Sequence, residues 1–119
     1  MAANFVLAVD DEKLTRELLA QALELLGFET RTAENGKIAL DLLKQDVPEL
    51  VITDIYMPEM NGIELLKEIR KFKENLPVIL ITGFDAEDAR QAAKDFNANA
   101  LLTKPFQIQQ LKDVIDTLI

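Results

Sequence analysis

The chain has 119 residues, 49% hydrophobic and 29% charged, a balance that suits one globular domain with a sizeable apolar core and excludes a disordered segment. It contains no His, Cys or Trp, which removes disulfides, thiolate nucleophiles, Cys- or His-ligated metals, Ser-His-Asp triads and a phosphohistidine made within the chain. With 21 acidic against 13 basic residues the net charge is -8, which argues against direct binding of nucleic acid.

Short apolar runs alternate with amphipathic stretches. Phe5-Val6-Leu7-Ala8-Val9 reads as a buried strand ending at Asp10. Leu14, Leu18, Ala22 and Leu25 recur at helical spacing, which predicts an inward face for a first helix that stops at Gly27. Phe28 to Thr32 alternates apolar and polar, as a half-exposed strand does. Asn35 suits the cap of a second helix with Ile38, Ala39, Leu42 and Leu43 inward. Leu50-Val51-Ile52 forms a third strand ending at Asp54, followed by a loop from Met57 to Gly62. A third helix turns Ile63, Leu66, Ile69 and Phe72 inward, and Val78 to Ile81 is a fourth strand ending at Thr82-Gly83. A fourth helix, about Ala86 to Phe96, offers the core mainly Ala86, Ala89, Ala92 and Ala93, so it should be the most weakly anchored. Ala100 to Thr103 is a short strand before Lys104-Pro105, where a cis bond is possible, and the last helix uses Ile108, Leu111, Ile115 and Leu118.

Alternating βα units imply a parallel sheet with helices on both faces, in one domain spanning residues 1–119. The alternating second strand belongs at an edge, which suits the doubly wound order 2-1-3-4-5 and puts the topological switch between strands 1 and 3. Ligand sites in such sheets lie beyond the carboxyl ends of the strands. Asp10, Asp11, Glu12, Asp54, Thr82 and Lys104 should therefore converge there. Each has a simple alternative: the Asp-Asp-Glu run as a helix cap, Asp54 and Thr82-Gly83 as strand exits, Lys104-Pro105 as a rigid turn. Together, however, three crowded carboxylates repel one another unless a cation joins them, and a hard divalent ion such as Mg2+ (or Mn2+) fits oxygen ligands.

The set Val9-Asp10-Asp11-Glu12, Asp54 with Met57-Pro58 and Asn61-Gly62, Thr82-Gly83 and Lys104-Pro105-Phe106 resembles the receiver domain of two-component response regulators over essentially the whole chain. The resemblance implies a flavodoxin-like fold and transfer of a phosphoryl group onto Asp54 from a phosphohistidine of a sensor kinase or phosphotransfer protein. It implies Mg2+ held by Asp10, Asp11, Asp54 and the backbone carbonyl of Tyr56, and phosphoryl oxygens met by Lys104, Thr82 and Gly83. It implies a phosphoacceptor that modifies itself rather than a turnover enzyme. The output partner would be an attached domain, a downstream protein or a second copy, reached through helix 4, strand 5 and helix 5.

Some positions depart from the pattern. Leu101 stands where many receivers have an aromatic switch residue, which keeps open a degenerate receiver that only binds a partner. Asn97-Ala98-Asn99-Ala100 replaces the usual Gly-Ala turn, and Asn tolerates the left-handed conformation. Tyr56 and Phe84 are bulky neighbours of the site; they either lie on the surface or shield an acyl phosphate from water. A phosphatase of the haloacid dehalogenase type would need an Asp where Tyr56 stands, and a flavin carrier would be repelled by Asp10-Asp11-Glu12. No stretch reaches the roughly 20 apolar residues of a membrane span and no signal peptide is evident, so a cytoplasmic location is expected. The chain reads equally as a stand-alone regulator or as part of a longer one.

Overall fold

The computed structural model describes residues 5–83 and 87–119. Five strands, β1 (Phe5–Val9), β2 (Glu29–Ala33), β3 (Leu50–Asp54), β4 (Val78–Thr82) and β5 (Ala100–Thr103), alternate with five helices, α1 (Lys13–Leu25), α2 (Gly36–Gln45), α3 (Gly62–Phe72), α4 (Glu87–Asp95) and α5 (Ile108–Leu118). The strands form one parallel sheet in the order β2-β1-β3-β4-β5, as the sequence predicts. The polar β2 lies at one edge, and β1, β3 and β4, apolar except for Thr53, Asp54 and Thr82 at their ends, are buried throughout.

Alternate residues of each central strand enter opposite cores. Leu7, Val51 and Leu80 pack towards α2, α3 and α4, where Leu43, Leu66 and Ile69 meet them. Ala8, Ile52 and Ile81 pack towards α1 and α5, against Leu19, Leu23, Leu111 and Ile115. The helix ends follow local chemistry. Asn35 accepts a hydrogen bond from the Ile38 N–H at 2.8 Å, and Asn61 and Glu64 form a reciprocal capping box at the start of α3. Gly27, at φ +93°, ends α1 in a conformation that costs glycine little.

The helix faces correct several expectations. The leucines assigned to the inner face of α1 are on its outside: Leu14, Leu18 and Leu25 are 68%, 56% and 77% exposed. Leu19 and Leu23 are the buried pair, with Ala22 half-buried beside them. The helix carries two leucine stripes, and its approach from β1 selects the second. Ile38, Phe72 and Ile108 are likewise exposed rather than inward, whereas Leu65, which the periodicity passed over, is fully buried. Among the described side chains of α4 only Ala89 is buried, with Ala92 and Ala93 half-covered; Ala86 lies outside the described residues. The apolar run of β5 is half-buried, Ala100 and Leu102 against the α1/α5 core and Leu101 against the opposite one.

The turn into β5 is fastened from α3. Asn97 takes φ 60°, as an Asn in place of Gly can. Arg70 donates through Nε and Nη2 to the Asn97 carbonyl (3.1 and 2.8 Å), through Nη2 to Asn99 Oδ1 (3.0 Å) and through Nη1 to the carbonyls of Lys73 and Leu76 (3.2 and 2.8 Å). Lys67 adds a contact 4.5 Å above the Phe96 ring.

Candidate functional site

The carboxyl ends of β1, β3, β4 and β5 bring Asp10, Asp11, Asp54, Thr82 and Lys104 to one edge. The acidic run does not cap α1: Glu12 occupies the N-cap without a side-chain hydrogen bond. Instead the Asp10 carboxylate folds back, its Oδ1 accepting the Glu12 N–H at 2.9 Å. Asp10 is buried, Asp11 exposed and Asp54 only 8% exposed, and one carboxylate oxygen from each lies within 4.8 Å of the others.

Lys104 is the counter-charge. Its Nζ lies 3.4 Å from Asp10 Oδ2 and 3.6 Å from Asp54 Oδ2, so it serves both acids and not Asp54 alone. The Lys104 N–H donates to the Thr82 carbonyl at 2.7 Å, which ties the lysine to the end of β4. The Lys104–Pro105 peptide is cis, and Pro105 is exposed.

Burial pushes the Asp54 carboxyl above its ordinary pKa of 3.8, Asp10 and Asp11 push the same way, and Lys104 and the Ile55 N–H, donating to Asp54 Oδ1 at 3.0 Å, oppose them. One ammonium thus faces three clustered carboxylates. The donor set is all oxygen, partly dehydrated and over-supplied with negative charge, which fits a hard divalent cation.

Thr82 is fully buried at the end of β4. Gly83 is exposed, and a Cβ placed on it would meet nothing within 4 Å among the described residues. Tyr56 is 54% exposed, two residues beyond Asp54, while its neighbours Ile55 and Met57 are buried. Phe84 lies outside the described residues.

Three supports were not apparent in the sequence. The Gly62 N–H donates to the Ile55 carbonyl at 2.8 Å, and a Cβ there would fall 2.2 Å from the Asp54 carbonyl oxygen, so α3 can start this close only with glycine. Gly36 plays the same part for the loop after β3, since its Cβ would lie 2.6 Å from the Met60 carbonyl oxygen. Arg16 also reaches the site, donating from Nη1 to the Asp10 carbonyl at 2.9 Å.

The model of the response regulator receiver domain matches residues 6–116. The chain belongs to the response regulator receiver family. This receiver is 35% identical over 106 residues to the response regulator MprA of Mycolicibacterium vanbaalenii, a match that covers 89% of this chain and 46% of that protein. It is 40% identical over 114 residues to the regulatory protein AtoC of Escherichia coli, covering 96% of this chain and 25% of that protein. The chain therefore spans less than half the length of these relatives. Its fold superposes on the response regulator TrrA of Thermotoga maritima, solved in complex with Mg2+-BeF, with a TM-score of 0.90 and 36% identity over 98% of this chain and 100% of that one. Among the described residues no helix is long and apolar enough to cross a membrane.

Proposed function

We propose that this receiver takes a phosphoryl group on Asp54 from a phosphohistidine of a sensor kinase or histidine phosphotransfer protein. The reading is carried by one observation: three carboxylates within 4.8 Å of one another, two of them shared by Lys104. Asp10, Asp11, Asp54 and the carbonyl oxygen of Tyr56 would hold a Mg2+ (or Mn2+), which would supply charge neutralisation for the phosphoryl group. An Asp54 carboxylate oxygen attacks phosphorus, the P–N bond to the donor imidazole breaks, and the imidazole keeps the electron pair and picks up a proton. Lys104 then follows the charge from the Asp54 carboxylate to a phosphate oxygen. The Thr82 hydroxyl and the Gly83 N–H donate to the others.

The donor protein docks on α1. The exposed leucines Leu18 and Leu25 line a groove of about 320 Å³ that runs from Leu25 and Ile108 down to Asp10 and Lys104. A partner helix seated there has its reactive group beside Asp54. The output leaves by the β5 edge of the sheet. Phosphorylation draws Thr82 towards the new oxygens and shifts α4, which among its described side chains buries only Ala89 to resist movement. The α4, β5 and α5 face then engages an output domain, a downstream protein or a second copy. Leu101, packed against the core beside α4, takes either position without a hydroxyl to report it.

Incubation with Mg2+ and a small phosphodonor, followed by intact-mass measurement, tests the reading. One phosphoryl group should be gained, and Asp54→Ala should gain none. No gain in the native chain, or a gain that survives Asp54→Ala, would sink it.

A further inference from the structure

Asp10 is tied at every polar atom. Its N–H donates to the Ala33 carbonyl at 3.1 Å, its Oδ1 accepts from Glu12, its Oδ2 faces Lys104, and its carbonyl oxygen accepts from Arg16 Nη1 at 2.9 Å. Asp11 is different. It is exposed, and no hydrogen bond or ion pair among the described residues restrains its carboxylate. Yet that carboxylate lies within 4.8 Å of those of Asp10 and Asp54 although all three carry like charge. What sets its direction is the backbone. The peptide plane joining Asp10 to Asp11 ends in the oxygen that Arg16 holds, so turning this plane would swing the Asp11 side chain away from its neighbours.

We infer that Arg16 is a positioning residue for Asp11: by gripping the Asp10 carbonyl it keeps the third carboxylate aimed into the cluster. This rests on the proposed function above, in which that cluster holds a divalent cation. Charge and position predict opposite results here. The guanidinium repels a cation nearby, so its charge alone makes Mg2+ bind more weakly, and deleting it would tighten binding. As the holder of the Asp10–Asp11 peptide it strengthens binding, and deleting it weakens binding on the scale seen for residues behind metal ligands, about tenfold or more.

The experiment is a calorimetric Mg2+ titration of the native chain, Arg16→Met, Arg16→Lys and Asp11→Asn, and of the Arg16→Met/Asp11→Asn double variant. Thermal melts of the same samples show that each is folded. Arg16→Met keeps the apolar stem and should weaken Mg2+ about tenfold, and Arg16→Lys, which keeps a donor, should recover most of the loss. In the Asp11→Asn background the Arg16→Met change should have little further effect, because its partner ligand is gone. Equal or tighter binding by Arg16→Met overturns the inference, as does an undiminished effect in the double variant. If Arg16→Met does not fold, Arg16→Gln, whose amide stops two bonds short of the Nη1 position, replaces it with the same expectation. A native chain that binds no Mg2+ would overturn the metal reading and this inference together. A native chain that binds Mg2+ beside an unaltered Arg16→Met overturns the inference alone.

Discussion

A Cβ on Gly62 would lie 2.2 Å from the carbonyl oxygen of Asp54. The contact is with backbone, which cannot swing aside as a flexible side chain would. Gly62→Ala should therefore force apart β3 and the start of α3, at a cost of about 3 kcal/mol, the upper range for overpacking. Urea denaturation would measure it. A loss below about 0.5 kcal/mol, the scatter of neutral surface changes, would contradict the packing described here.

Asp54 carries the opposite kind of strain. Its folded pKa is raised above 3.8, chiefly by burial. A raised acid costs nothing below its unfolded pKa, where both states are protonated. Its penalty grows as pH climbs from about 3.8 to the folded value and stays constant above it. Asp54→Asn should therefore stabilise the metal-free protein at neutral pH, by about 1.4 kcal/mol for each pH unit of the shift. The gain should vanish below about pH 3.8 and shrink when Mg2+ is added. Melting curves across pH check the sign, and a neutral-pH destabilisation would reverse it.

Glu59 sits at φ 67° in the loop after β3, where the Met60 N–H donates back to the Pro58 carbonyl at 2.8 Å. That tight turn strains any side chain with a Cβ. Glu59→Gly should raise stability by about 1 kcal/mol. Chemical denaturation would show the gain as a higher midpoint at unchanged slope.

Arg70 places its donors on four carbonyl-type oxygens from the end of α3, the loop before β4 and the turn before β5. Arg70→Ala should cost about 2–3 kcal/mol, since those oxygens lose a charged donor. Arg70→Lys should recover only part, because a single ammonium cannot span the fork. Hydrogen exchange should quicken first at Asn97 and Asn99, and unchanged protection there would argue against the clamp.

Tyr56 is the only Tyr in a chain without Trp. Lying two residues beyond Asp54 and about half exposed, it should change its emission as Mg2+ or a beryllofluoride mimic saturates the site. In the shielding role, Tyr56→Ala and Phe84→Ala should shorten the life of the acyl phosphate. A decay rate unaltered in both variants would leave the rings as surface features.

The topology and the convergence of Asp10, Asp11, Asp54, Thr82 and Lys104 were legible because they depend on the order and ends of apolar runs. Caps such as Asn35 were legible because they act within three residues. Faces were not. Leu14, Leu18 and Leu25 satisfy helical spacing as well as Leu19 and Leu23 do, and only the angle of α1 against the sheet chooses between them. Gly62, Gly36 and Arg16 act through contacts whose partners the chain's local pattern does not mark, a carbonyl oxygen in each case. Glu59 hides its strain because nothing in its chemistry announces a positive φ.

The two leucine stripes of α1 also separate two kinds of sequence change. Leu19 and Leu23 belong to the core, so altering them alters folding. Leu14, Leu18 and Leu25 stand outside it. On the proposed docking of the donor at α1, a paralogue could therefore exchange its outer leucines, and with them its donor, while leaving the inner pair and the acidic cluster intact. On this helix, choice of partner and integrity of the fold can drift independently.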